Sequence, residues 1–131
     1  MRVQITRVLE ATPGLVEFRC ELGRAVGAWM GSTAARHGEF DVEIEVQEEI
    51  STWTVLDAPS PGSIVGGAGD ASQISITGTV VDIGEADDPV VGIRLGPDVL
   101  LIEAPDRKWE VSRGTGVLLN VHAVQLYPID L

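Results

Sequence analysis

Val3 and Ile5 alternate with Arg2, Gln4 and Thr6, and a second run from Val16 to Leu22 alternates with Glu17, Arg19 and Glu21. Alternation with period two marks a strand that buries one face. Between the runs stands Thr12-Pro13-Gly14, where proline presets φ and glycine accepts a positive φ, so the two runs are expected to form a β-hairpin. The strongest alternation in the chain follows. Phe40, Val42, Ile44 and Val46 interleave with Glu39, Asp41, Glu43, Glu45 and Gln47, and Trp53 and Val55 read as the continuation of a bent strand.

Later runs repeat the pattern. Ile74, Ile76 and Val80 are interrupted by Gly78, where a bulge or sharp bend is expected because glycine offers no side chain to pack. Val91, Ile93 and Leu95 alternate, Gly96-Pro97-Asp98 turns the chain, and Val99 to Glu103 returns as a buried strand, which makes a second hairpin. Val117, Leu119 and Val121 open a last strand that ends at Leu126-Tyr127-Pro128. Two stretches lack the pattern. Residues 23–38 are rich in Gly and Ala and read as a loop or short helix carrying Trp29; residues 59–72, rich in Pro, Gly and Ser, read as a mobile surface connector.

These runs amount to six to eight short antiparallel strands with at most one short helix. The expected fold is therefore mostly β, a single small barrel or sandwich. From residue 39 onward the order of a long bent strand, a bulged strand and hairpins resembles an OB-type barrel, an architectural likeness that carries no function by itself. A chain of 131 residues with 44% hydrophobic composition fits one domain, 1–131, with 1–38 as hairpin plus connector and 39–131 as the acidic barrel-like part.

Charge sharpens this picture. The net charge is −11, a field that repels phosphate polymers and anionic lipid surfaces and attracts basic ones. Residues 1–38 carry five Arg against three Glu, whereas no Lys or Arg occurs between His37 and Ile93, a stretch holding twelve acids. Nucleic acid and membrane are thus not the expected partners. Cys20, the only cysteine, excludes an internal disulfide and reads as a small core residue in a reducing, cytoplasmic setting. No apolar stretch is long enough for a signal peptide or a membrane helix.

Candidate chemistry is correspondingly thin. Alternate strand residues share a face at a spacing of about 6.6–6.8 Å, so Glu39, Asp41, Glu43 and Glu45 are expected to form a ladder of carboxylates that Glu48 and Glu49 extend. Two readings compete: a solvated face that blocks edge aggregation, and a docking surface for a basic protein, such as an inhibitor or immunity-type protein would use. A straight row does not converge on a cation. Asp82, Glu85, Asp87 and Asp88 form a second acidic cluster without the spacing of a calcium loop, and Gly66-Gly67-Ala68-Gly69 lacks the Lys-Ser/Thr of a phosphate cradle. His37, His122 and Cys20 show no zinc-site spacing. No catalytic residue, metal or cofactor is expected. The alternatives to a binding module are a self-assembling subunit, since a homo-oligomer is possible, and an enzyme using the clustered carboxylates with a divalent ion.

Overall fold

A computed structural model describes residues 1–66 and 73–129. It contains eleven strands and one 3-10 turn, so the chain is mostly β. The first hairpin forms as the alternation predicts, β1 (Arg2–Glu10) against β2 (Leu15–Cys20). β4 (Gly38–Glu45) pairs with β1 through its first half, Gly38–Asp41, and with β11 (Gln125–Pro128) through its second, Val42–Glu45. β3 (Gly23–Trp29) pairs antiparallel with β2 and parallel with β11. The circuit β1–β2–β3–β11–β4–β1 is a closed five-stranded barrel. The first hairpin is thus part of the barrel rather than an appendage to it.

Residues 23–38 do not form the expected loop or helix over their first half. Ala25, Val26, Gly27 and Trp29 are all buried, and a Cβ on Gly27 would lie 3.1 Å from both Leu126 and Phe18 side chains. A strand covered on both faces shows no polar alternation, and its small residues are what the close approach requires. Part of the 59–72 connector is likewise ordered. β6 (Ser63–Gly66) pairs with β3 and β7, and Ser60 Oγ hydrogen-bonds Thr77 Oγ1 at 3.0 Å; residues 67–72, and with them most of the glycine cluster, lie outside the described residues.

The second part of the molecule is a sheet centred on β7 (Ile74–Ile83), which pairs with β6, β8 (Val90–Leu95) and β10 (Gly116–Val121). β9 (Asp98–Glu103) pairs with β8, and the two-residue β5 (Thr54–Val55) pairs with β10. The bulge expected at Gly78 lies instead where the β7–β8 register slips, between Val80 and Asp82. Gly78 serves a close crossing: a Cβ there would collide with Ile93 Cγ2 and the Arg94 carbonyl. One continuous core, from Val3 and Phe18 through Ile64, Ile76 and Ile93 to Leu119 and Leu126, joins the barrel to this sheet. No described helix is long and apolar enough to cross a membrane.

Candidate functional site

β4 carries the predicted alternation: Val42 and Val46 are buried and Phe40 and Ile44 half-buried, while Glu39, Asp41, Glu43 and Glu45 lie on the other face. Asp and Glu are poor strand formers, so tertiary pairing and burial of the apolar face hold this segment extended. β1 pairs with its first half and β11 with its second, so the β1-side edge of β4 beside Glu43 and Glu45 has no strand partner among the described residues.

The row divides in two. Arg2 on β1 reaches Glu39 Oε2 at 3.4 Å and Asp41 Oδ2 at 3.3 Å, which neutralises the first half with an exposed pairing worth about 1 kcal/mol or less per contact. Glu43 and Glu45 have no ion-pair partner among the described residues; their cross-strand neighbours are Tyr127 and Gln125. Glu48 does not extend the ladder. It folds toward His122, accepting from the backbone N–H at 2.9 Å and lying 3.0 Å from the ring Nδ1. Glu49 bridges in parallel to Glu103 at the end of β9.

β1 flanks β4 only as far as Met1, whose backbone carbonyl accepts from Val42 N–H at 2.8 Å. Beyond that point the same flank of β4 faces β9 across a groove of about 390 Å³. One wall is Glu43 and Glu45; the other is β9, with Ile44, Val46, Leu95 and Leu100 beneath them. β9 was expected as a buried strand. Only its alternate residues Leu100 and Ile102 are buried, whereas Val99 is 45% and Leu101 61% exposed. Ile129, also exposed, lines the same groove. β9 pairs with β8 alone, so its groove-side backbone edge is open over most of its length; Glu103 O, at the far end, accepts from Ile50 N–H at 2.7 Å. Asp98, at the near end, is held by the Met1 ammonium at 2.7 Å.

The second acidic cluster wraps its backbone, not its carboxylates, around a lysine; Glu85, Asp87 and Asp88 have no ion-pair partner among the described residues. Lys108, 3% exposed, inserts its ammonium into the Gly84–Asp88 turn and donates to the carbonyls of Gly84 at 3.0 Å, Ala86 at 2.5 Å and Asp88 at 2.6 Å. All three ammonium protons find acceptors. Trp109 lies over the same ammonium, 4.4 Å from ring centroid to Nζ, and Ala86 takes φ +50° in the turn. Asp82 pairs with Arg113 at 3.5 Å, and among the described residues no three His, Cys, Asp or Glu side chains come together.

Arg107 meets Glu110 at 2.7 Å. The hydrogen bond from that guanidinium holds the Glu110 carboxyl below its ordinary range against an opposing desolvation, and the Trp53 indole N–H at 3.1 Å adds a smaller contribution in the same direction. Arg107, Lys108 and Arg113 are thus each engaged by the chain's own groups. Cys20 is half-buried on β2 and packs against the core. No family model matches the chain, and no curated protein or solved structure is significantly similar to it.

Proposed function

We propose that this protein is a non-enzymatic cytoplasmic binding module that recognises a basic protein surface through Glu43 and Glu45. The single observation that carries the reading is their situation: two like charges on one strand face, without an ion-pair partner among the described residues, in a groove that the exposed Val99 and Leu101 also line. Opposed potentials accelerate encounter and select the partner, and a neighbouring apolar surface supplies area to bury once contact is made. The carboxylates in the 82–88 segment do not join Glu43 and Glu45 in a common pocket, so a shared divalent-ion centre has no support in the geometry.

Titration with heptalysine, followed by calorimetry at low ionic strength, tests this. Binding should weaken steeply as salt rises, because exposed charges are screened beyond about 10 Å at 0.1 M. The double variant Glu43→Gln/Glu45→Gln should lose about tenfold in affinity, two exposed pairs at roughly 0.7 kcal/mol each. Glu85→Gln/Asp87→Asn should lose nothing. Equal losses in the two double variants would reduce the effect to net charge and defeat the reading.

A further inference from the structure

The two walls of the groove share one repeat. Glu43 and Glu45 are two residues apart on β4; Val99 and Leu101 are two residues apart on β9. Alternate strand residues recur every 6.6–6.8 Å or so, which makes one wall a carboxylate repeat and the other an aliphatic repeat of equal period. An extended peptide has that same period and projects successive side chains to opposite sides. Laid along the groove, it meets an acidic wall with one set of side chains and an apolar wall with the other.

Building on the docking reading above, we propose that the occupant is an extended segment of a partner protein in which basic and apolar residues strictly alternate. Its Lys or Arg side chains pair with Glu43 and Glu45, and its apolar side chains cover Val99 and Leu101. A helical segment is a poor match, because its same-face residues recur at three and four positions rather than two. A second copy of this chain is a poor match as well. It would bring Glu43, Glu45 and Asp98 against their own counterparts, and like charges so opposed destabilise an interface.

Two heptapeptides of identical composition, four lysines and three valines, separate this inference from simple electrostatic docking. One alternates Lys and Val throughout; the other places all lysines before all valines. The alternating peptide should bind about tenfold more tightly to the intact protein. Leu101→Ser, a change at an exposed position, should remove most of that preference. Equal affinity for the two heptapeptides, each weakened by Glu43→Gln/Glu45→Gln, would overturn the alternating pattern and leave the docking reading standing. Absence of binding by heptalysine and both heptapeptides at low salt would overturn both. Sedimentation showing a dimer that Leu101→Ser dissociates would assign the groove to a second copy and overturn the proposal.

Discussion

Two segments of this chain are dense in carboxylates, and they meet different fates. Around 82–88 Arg113 pairs with Asp82 and Lys108 enters the turn, where three backbone carbonyls close on its ammonium, while Glu85, Asp87 and Asp88 have no ion-pair partner among the described residues. Along β4 the fold brings one arginine, which serves Glu39 and Asp41 and leaves Glu43 and Glu45 beside an apolar groove. Density of charge is therefore a poor guide to a docking surface. What distinguishes the two is the surroundings: Glu43 and Glu45 line a groove shared with the exposed Val99 and Leu101, and the 82–88 carboxylates do not.

The comparison breaks most readily at Lys108. Lys108→Met should leave three carbonyls of the Gly84–Asp88 turn without their shared donor and remove the group that holds Ala86 at positive φ. A loss of about 3 kcal/mol is expected, from roughly 1–3 kcal/mol for each buried group left unsatisfied, and urea denaturation measures it. Glu43→Gln/Glu45→Gln, by contrast, should stay within about 0.5 kcal/mol of the parent, as surface changes do. Comparable losses from the two would mean that the acidic row is held as firmly as the turn.

Arg2 offers the opposite manipulation. Arg2→Gln releases Glu39 and Asp41 and lengthens the unanswered row, so affinity for heptalysine should rise about two- to threefold, the equivalent of one exposed ion pair near 0.5 kcal/mol. An unchanged or lower affinity would place recognition elsewhere. The smallest effect concerns Glu110. Its carboxyl titrates low because of Arg107 and Trp53, and a group with a depressed folded-state pKa adds stability above its unfolded value and loses it as pH falls through the folded one. Arg107→Ala should raise the Glu110 midpoint toward the ordinary glutamate value in a carboxyl NMR titration.

The alternation at Val3–Ile5, Val16–Leu22 and Phe40–Val46 was sufficient to identify the strands that open the barrel, because each buries one face only. β3 was hidden for the reason that makes it central: with Ala25, Val26 and Gly27 buried in succession, it shows no polar alternation after Arg24. β6 was masked by its Pro, Gly and Ser flanks, although Ile64 is fully buried. The acid row itself could be read, but its division could not. Arg2 is separated by 37 positions from Glu39, and no local pattern announces that pairing. The apolar wall was misjudged because Val99-Leu100-Leu101-Ile102 is apolar throughout; such a run signals burial on both faces, whereas the Val99 and Leu101 face of β9 is left uncovered.

Closure of the barrel rests on the seam at which Ala28 N–H donates to the Val124 carbonyl and Met30 N–H to that of Leu126, each at 2.9 Å. The two sides of that seam are about a hundred positions apart along the chain, and contacts of such separation make folding slow. Until the seam forms, β3 and β4 each lack the neighbour that β11 provides. The interval in which these edges stand uncovered is the period when the molecule is most exposed to strand exchange with other chains, so its yield should depend on concentration during refolding far more than its finished structure suggests.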